Sequence, residues 1–383
     1  MALHFEPTEY KARIRAAIKS LEKEGLDGLL MFQQESMYHL TGYDTFGFCF
    51  FQCLYLGTDG KLALLTRAAD LRQAQHTSIL EDIRVWTDAQ GARPADQLKD
   101  MLESLGARGK KLGIETNAYG LTHYNGKAVD GTLSGFYTLV EASDLVNRLR
   151  VVKSPAELAY VRKAGKLGDL ALRAAVSETK AGADEGKILA AIQGTIFAGG
   201  GDYPGNEFII GSGRDALLCR YKAGSRKLSK NDQLTLEFAG VYRHYHAALM
   251  RTIVIGKPNK FHEKMDATVR AALKACEAVM RPGHKAGDVF DAHAQVMDEH
   301  GMQRHRLNAC GYSLGAKFTP SWMDYPMFYR GNDVALKPNM VFFAHMILFD
   351  SDSGNAMTLG RTYILTKDKP EPLSKYPLAM IVR

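Results

Sequence analysis

The second half of this 383-residue chain contains an internal repeat, which constrains the fold more than any other feature of the sequence. Gly182 and Gly186 precede an apolar helical pattern, and Gly283 and Gly287 precede another one 101 residues later. An alanine-rich helical pattern comes before each pair of glycines. Two copies of one pattern at a fixed spacing indicate a duplicated αβ unit.

The segments that follow each copy alternate apolar and polar residues with the two-residue period of strands. They read NEFIIGSG, LTLEFAGVYRHYHAALMRTIVIG, PNMVFFAHMILFD and MTLGRTYILT. Helices followed by such strands predict an α+β domain, in which the helices pack on one face of a mainly antiparallel sheet.

A different pattern fills the first 150 residues. Residues 8–24 carry one apolar stripe at helical spacing, and Gly25 ends it. A strand is predicted at 26–32, and further strands in the sequences FFQCLYLG, KLALLT and KLGIE, with helical patterns between them. Strands that alternate with helices predict an α/β domain.

The change of pattern falls beside a capping box. Ser154 is followed by Pro155 at the first helical position and by Glu157 three residues on, which together mark the start of a long helix. We therefore predict two domains, at 1–150 and 151–383.

Composition and charge exclude several classes of protein. The 46% apolar and 24% charged residues are ordinary for a globular chain. The 49 basic and 42 acidic residues give a net charge of +7, but no nucleic-acid-binding signature occurs. No apolar run is long enough for a membrane helix, and the N-terminus lacks the apolar core of a signal peptide. Five cysteines do not make a disulfide framework. We expect a cytoplasmic protein that acts on a small molecule, with no nucleic-acid or membrane partner.

The junction between the two domains carries a family motif. It reads R-x-R-x-x-K-S-P-x-E, formed by Arg148, Arg150, Lys153, Ser154, Pro155 and Glu157. With the duplicated unit, it resembles the pita-bread superfamily of prolidase, aminopeptidase P, methionine aminopeptidase and creatinase over nearly the whole length. The resemblance implies an α/β N-terminal domain of the creatinase type and an α+β pita-bread catalytic domain with a pseudo-twofold duplication. It also implies a homodimer, with the N-terminal domain of one chain near the site of the other.

The peptidases of this superfamily bind two divalent metal ions through two Asp, one His and two Glu residues. With Met250-Arg251-Thr252 taken as the triplet beside the second aspartate, the resemblance aligns these positions with Glu237, Ala248, Tyr312, His345 and Gly360. One carboxylate remains, whereas two dications need several anionic ligands. We therefore expect no metal and no other cofactor; the alternative is a single ion held weakly by Glu237 and His345.

Loss of the metal ligands is itself a property of one branch of the superfamily, which includes creatinase and ectoine hydrolase. The sequences EFAG and GYSLG of this chain are similar to those of ectoine hydrolase. The catalytic histidine and the two catalytic glutamates of creatinase correspond to Arg220, Met250 and His345. This difference disfavours creatine itself as the substrate.

Four residues are candidates for acid–base chemistry. Glu237 lies in an apolar run, so its carboxylate is either a nucleophile or general base, or one half of a buried ion pair. His345 lies in a second apolar run, as an acid–base partner of Glu237 or as a core histidine. Strand alternation predicts that His244 and His246 share the face of Ala248, where each is a general acid–base or is bonded to backbone.

Further residues are candidates for binding the substrate. Arg220 and Arg361 align with pocket-lining positions, where they would bind a substrate carboxylate or neutralise a carboxylate of the protein. Tyr312 would donate a hydrogen bond to a developing oxyanion or fill the space of the metals. Trp322 and Tyr325 follow the GYSLG turn and would form a wall of the pocket.

An aromatic stretch at residues 46–51 is the last candidate. In creatinase, the matching loop of one subunit reaches into the site of its partner. The resemblance therefore implies that Phe48 covers the pocket of a second chain. The alternative is that this stretch is a core strand.

Together these observations predict a metal-independent hydrolase of a non-peptide C–N bond in a small, carboxylate-bearing amino-acid derivative similar to ectoine or creatine. One alternative is an Xaa-Pro dipeptidase or aminopeptidase with an atypical metal site. The other is a non-catalytic pita-bread binding protein.

Overall fold

The computed structural model describes residues 3–221 and 226–383. The chain forms two compact units, Met1–Arg150 and Val151–Arg383. Among the described residues, no helix is both long and apolar enough to cross a membrane.

The described residues form ten α-helices and fifteen strands. The helices are α1 Pro7–Glu24, α2 Gln34–Thr41, α3 Leu71–Thr77, α4 Pro94–Ser104, α5 His123–Leu133, α6 Asp144–Arg150, α7 Pro155–Glu178, α8 Glu185–Ala198, α9 Lys260–Val279 and α10 Ala286–Glu299. The strands are β1 Gly28–Met31, β2 Cys53–Gly57, β3 Leu62–Arg67, β4 Asp82–Trp86, β5 Lys111–Ile114, β6 Thr138–Glu141, β7 Ile209–Ser212, β8 Asp232–Tyr242, β9 Tyr245–Ile255, β10 Ala309–Ser313, β11 Asp324–Tyr329, β12 Val341–Asp350, β13 Asn355–Leu365, β14 Pro370–Pro372 and β15 Ile381–Val382.

The described part of the first unit contains a six-stranded mixed sheet in the order β4-β3-β2-β1-β5-β6. Helix α1 follows the predicted range within one residue, and Gly25 ends it in the left-handed conformation, with a φ of 65°. The strand predicted at 26–32 is shorter, because the amide of Leu26 still bonds to the carbonyl of Leu21 at the end of α1. The sequence patterns do not predict β4 and β6, which lie at the two edges of the sheet and bury few side chains.

The second unit is built on a nine-stranded sheet of described residues. Its order is β11-β10-β12-β13-β9-β8-β7, with β14 beside β13 and β15 beside β9. The pairs along this order are antiparallel, as the α+β pattern predicts. Helix α7 packs on β8 and β9, and α9 packs on β12 and β13.

The duplicated unit of the sequence is present in the structure at the same offset. Helices α7 and α9 end at Glu178 and Val279, which are 101 residues apart, and α8 and α10 begin 101 residues apart as well. Gly182 and Gly283, in the two helix-to-helix turns, both have positive φ, at 81° and 93°. Each turn therefore needs the conformational freedom of glycine, which explains why both copies carry it.

Helix α7 begins with the predicted capping box and approaches the sheet very closely. The Ser154 hydroxyl accepts from the Glu157 amide, and the Glu157 carboxylate accepts from the Ser154 amide. Further along, a Cβ on Gly240 of β8 would lie 2.0 Å from the carbonyl oxygen of Ala164 and 2.4 Å from the amide of Gly168. Glycine at 240 therefore sets the distance between α7 and the sheet.

We expect Gly240→Ala to destabilise the protein by roughly 2–4 kcal/mol, because α7 must move away from β8. Gly194→Ala is the matched control: Gly194 lies inside α8, and an added Cβ meets nothing within 4 Å. There alanine should stabilise the helix by up to about 1 kcal/mol. Urea unfolding of both variants measures the difference, and equal stabilities would contradict this account of the packing.

Candidate active site

Four neighbouring strands carry the centre of the candidate site. Glu237 on β8 is the register partner of Met250 on β9, which pairs with Gly360 on β13, which pairs with His345 on β12. Directly opposed residues on antiparallel strands share one face of the sheet. Glu237 and His345 therefore lie on the same face, with Met250 and the bare backbone of Gly360 between them.

Tyr312 on β10 lies next to both Glu237 and His345. Its hydroxyl donates a 3.1 Å hydrogen bond to Oε1 of Glu237 and accepts a 2.8 Å bond from the indole Nε1 of Trp322. The centroid of its ring lies 5.5 Å from that of the His345 imidazole. A hydroxyl has a single hydrogen, so this O–H is committed to Glu237 and is not free for a substrate oxyanion.

Burial dominates the proton equilibria of the site. Glu237 is 8% exposed, and desolvation raises its pKa to about 7, against the smaller lowering effects of the Tyr312 bond and the Arg220 charge. Burial raises the pKa of Tyr312 well above its ordinary value, and the Glu237 carboxylate adds to this. Burial, followed by the charge of His293, lowers the pKa of His345 to about 3. At neutral pH, Glu237 therefore exchanges its proton while Tyr312 and His345 stay neutral.

His345 is the least constrained polar group of the site. It is 8% exposed, and its Nδ1 has no hydrogen-bond partner among the described residues. Buried imidazole nitrogens are normally bonded. An unbonded one beside Tyr312 leaves His345 available to a ligand.

His246 has a different environment from the one that catalysis requires. Its Nε2 accepts from the backbone amide of Gly205 at 2.8 Å, and its Nδ1 lies 3.4 Å from the carbonyl of Gly315. The proton is therefore on Nδ1, and burial lowers the pKa of His246 to about 3. Both ring nitrogens contact backbone groups. In the structure, His246 therefore matches the second interpretation, a histidine that is bonded to backbone.

The loop that His246 binds also positions Trp322. Asn206, next to Gly205, accepts from the backbone amide of Trp322 through Oδ1 at 3.1 Å. Trp322 is 1% exposed, and its indole ends on Tyr312. A hydrogen-bonded path therefore runs from His246 through this loop to the carboxylate of Glu237.

Arg220 lies beside this cluster, at a pocket of about 420 Å³. The pocket is lined by Gly205, Asn206, Glu207, Phe208, Ile209, Arg220, Tyr221, Thr319 and Pro320. The guanidinium is exposed, and its contact is with Sδ of Met323 at 3.8 Å. Because Ile209 is the register partner of Glu237, the pocket borders the buried carboxylate.

Arg361 lies on the opposite face of the sheet. It follows Gly360, and strand alternation turns it away from the site. Its Nη2 and Nε donate to the carboxylate of Glu277 on α9 and to the hydroxyl of Tyr363. The structure does not bring Arg361 to the cluster. Its ion pair with Glu277 agrees with the other interpretation, in which Arg361 neutralises a carboxylate of the protein.

The strand face predicted for the histidines has to be corrected at one residue. His246, Ala248 and Met250 share one face of β9, as predicted, but β9 begins only at Tyr245. His244 lies in the hairpin turn instead, with a φ of 65°, and its ring stacks on Phe318 at 4.2 Å. Two-residue hairpin turns require positive φ, and here non-glycine residues supply it.

The remaining aromatic candidates lie elsewhere. Tyr325 lies on β11 with an exposed side chain. Phe48 lies in a short 3₁₀ turn and is buried, whereas Phe46 and Phe50 on either side of it are exposed. The stretch is therefore not a core strand, which was the alternative interpretation. The contact of Phe48 with a second chain stays a prediction.

The positions aligned with metal ligands do not fit a dinuclear site. Ala248 offers no ligand, and a Cβ at Gly360 would lie 2.7 Å from Cζ of Phe343. A glutamate cannot occupy that position unless the ring moves. The Tyr312 hydroxyl is bonded to Glu237, and no three His, Cys, Asp or Glu side chains of the described residues could together hold a metal ion.

Three of the residues that build this site were not among those predicted from the sequence. Gly205 and Asn206 act through contacts with residues far along the chain, and no local pattern indicates them. Phe343 was detectable, because it lies two residues before His345 on the same strand and therefore shares its face.

Comparison with known proteins assigns the family. Residues 13–152 match the creatinase/prolidase N-terminal domain, and residues 159–367 match metallopeptidase family M24. The chain belongs to metallopeptidase family M24. The family resemblance and the expected pair of folds, creatinase-type and pita-bread, are thereby confirmed. The predicted enzyme class, a creatinase- and prolidase-like hydrolase, agrees with this membership.

The chain is similar over 95% or more of its length to two known hydrolases. It is 26% identical to the ectoine hydrolase of Halomonas elongata, covering 100% of this chain and 99% of that protein. It is 21% identical to the Xaa-Pro dipeptidase of Pyrococcus furiosus, covering 95% and 98%. Among solved structures, the Xaa-Pro dipeptidase from Bacillus anthracis matches with a TM-score of 0.85 at 18% identity, covering 98% of this chain and 100% of that one. At this identity, the structural match shows the fold.

The proton equilibrium of Glu237 is open to a direct test, since the chain has two tryptophans, Trp86 and Trp322. In Trp86→Phe protein, the emission of Trp322 should change with an apparent pKa near 7, because Tyr312 links its indole to the carboxyl. Glu237 is protonated below that pH and ionised above it. His246 titrates far lower and does not contribute.

The control is the double variant Trp86→Phe, Glu237→Gln, which keeps an acceptor for Tyr312 but cannot ionise. Its emission should stay flat between pH 5 and 9. A transition that persists in the double variant would assign the titration to another group.

Proposed function

We propose that this protein hydrolyses a non-peptide C–N bond in a small, carboxylate-bearing amino-acid derivative, and that it does so without a resident metal. One observation carries the proposal. A buried carboxylate with a pKa of about 7, Glu237, is held by Tyr312 where the peptidases of the superfamily hold their metals. The neighbouring ligand positions, Ala248 and Gly360, provide no donor.

Glu237 has the properties of a general base. A catalytic group works best when its pKa lies near the operating pH, because it can then both accept and return a proton. The ionised carboxylate takes a proton from water, and the hydroxide oxygen bonds to the carbon of the C–N bond. The same proton then passes to the nitrogen as that bond breaks.

Tyr312 and His345 support this step in different ways. Tyr312 fixes the carboxylate and, through Trp322, keeps bulk water away from it. Neutral His345 offers an unbonded nitrogen to the attacking water or to the departing group. In this proposal, His246 positions the Gly205 loop and takes no part in proton transfer.

Arg220 supplies the affinity for an anionic substrate. Its guanidinium is exposed at the pocket and suits bidentate binding of a carboxylate. It also lowers the pKa of Glu237 by its charge. A bound substrate carboxylate would offset that charge, so substrate binding should raise the pKa of Glu237 and make its ionised carboxylate a stronger base.

The relatives support two substrate classes. The match to ectoine hydrolase covers the whole chain and supports a C–N hydrolase of a small amino-acid derivative. The match to Xaa-Pro dipeptidases supports a second candidate function, cleavage of Xaa-Pro dipeptides. The side chains at the metal positions oppose the second candidate, because a two-metal mechanism needs ligands that this site does not offer.

A thermal-shift screen separates these functions. Compounds similar to ectoine, compounds similar to creatine and Xaa-Pro dipeptides are each tested with and without manganese, since ligands of the folded state raise Tm. We expect a hit in the first two groups that is independent of manganese and survives EDTA. Cleavage of an Xaa-Pro dipeptide that requires manganese would overturn the proposal, as would binding without turnover.

With the substrate identified, Glu237→Gln should lower kcat by about 10²–10⁴-fold, because general-base catalysis is lost. Tyr312→Phe keeps the carboxylate but frees it, and should lower kcat less while KM stays nearly constant. Steady-state kinetics on folded variants measures both effects. Full activity of Glu237→Gln would exclude Glu237 as the base.

Arg220→Met should raise KM more than tenfold for a carboxylate-bearing substrate and change KM little for its amide analogue, since a charged hydrogen bond is lost only with the former. Arg214→Met, at an exposed arginine outside this pocket, is the control and should leave KM unchanged. Equal losses with both substrates would show that Arg220 does not bind the carboxylate.

A further inference from the structure

Arg251 is a buried cation whose hydrogen bonds are incomplete. It is 2% exposed on β9, facing away from the candidate active site. Its Nη1 donates to the carbonyls of Met250 and Gly360, at 2.8 and 2.7 Å. Its Nε and Nη2 have no partner among the described residues. Three of the five N–H donors of the guanidinium are therefore unused.

Such a group is costly to bury alone. Arginine stays protonated under physiological conditions, so it cannot escape by losing its charge. Buried charges in proteins are normally paired and fully hydrogen-bonded, since desolvation of an unpaired ion costs several kcal/mol. An anion in contact with Nε and Nη2 would complete the hydrogen bonds of Arg251.

The nearby carboxylates of the described residues are already engaged. Glu277 accepts from Arg361 and from Tyr363. Asp169 accepts from the hydroxyl of Ser374 and the amide of Lys375. Arg361 adds a second positive charge to the same region, and this charge, after burial, lowers the pKa of Arg251 to about 10. Arg251 and Arg361 are matched in number by Glu277 and Asp169, but neither carboxylate hydrogen-bonds to Arg251.

The nearest neighbours of Arg251 on its face of the sheet are apolar. Its register partners on the two neighbouring strands are Leu236 and Leu359, and Leu249 and Ile253 precede and follow it on the same face of β9. All four are buried. Side chains of this kind offer no polar contact to a larger ligand, so a monatomic anion is the ligand that Nε and Nη2 suit best.

We propose that Arg251 binds a small monovalent anion, chloride in ordinary solution, through Nε and Nη2 in the interior of the second unit. The site is separate from the active site and does not depend on the proposed function. It lies directly beneath it, however, since Arg251 holds the carbonyls of Met250 and Gly360, which stand between Glu237 and His345 in the register. The anion therefore stabilises the row of backbone on which the catalytic groups are placed.

Thermal unfolding of the full chain tests the proposal at constant ionic strength, with chloride exchanged stepwise for gluconate. A ligand of the folded state raises Tm with the logarithm of its concentration. We expect Tm to rise by roughly 2–5 °C for each tenfold increase in chloride above its dissociation constant. Bromide should act in the same way, and gluconate should not.

Arg251→Met removes the cation and keeps an apolar side chain of similar length, so it should fold and lose the chloride dependence. Arg214→Met, at an exposed arginine, is the matched control and should keep it. A chloride response retained in Arg251→Met would overturn the proposal.

A second measurement needs no variant. Crystals grown in bromide should give an anomalous peak in contact with Nε and Nη2 of Arg251. Ordered water at that position, with no anomalous peak and no chloride response, would show that solvent alone satisfies the guanidinium and would refute the anion site.

Discussion

The hydrogen bond from Tyr312 to Glu237 is the interaction on which the centre of the second unit depends. Without it, a carboxylate would lie almost fully buried on a sheet face lined by Met250, Ala248 and the ring of Phe343. The bond reduces the penalty but does not remove it, and the pKa of Glu237 stays near 7. Because this value lies above the value of 4.5 in an unfolded chain, the folded state loses stability as pH rises from 4.5 to 7. A pKa that burial shifts this far from its ordinary value is typical of catalytic sites.

The surrounding packing fixes the carboxylate in one position. Trp322 covers Tyr312, and Asn206 holds the backbone of Trp322. His246 holds the loop that contains Asn206. Each step joins residues distant in sequence, so the orientation of Glu237 depends on the whole unit rather than on its own strand. This also explains how a neutral, buried histidine contributes to a site without transferring a proton.

Much of this arrangement is readable from the sequence, because it follows local rules. The 101-residue repeat gives the two helix pairs, and the capping box gives the start of α7. Alternation places Glu237 and Ala248 on one face. The same rule, applied from Gly360, turns Arg361 to the opposite face and favours neutralisation of a protein carboxylate over substrate binding for that arginine. His244 is a different case, because a hairpin turn formed by non-glycine residues leaves no local signal. The bonds of His246 depend on a loop 41 residues earlier in the chain, which no periodicity reveals.

Each face of the central sheet carries a buried ionisable group that has no salt bridge to a described residue. On one face Glu237 lies close to neutrality, because burial disfavours its ionised form. On the other, Arg251 cannot discharge, since the guanidinium keeps its proton at any physiological pH. The desolvation cost of the two groups is therefore reduced in different ways. A carboxyl group loses its charge by protonation, whereas an arginine keeps its charge and needs a counter-ion. A site that exchanges protons is therefore expected on the face of Glu237, and a site that binds an anion on the face of Arg251.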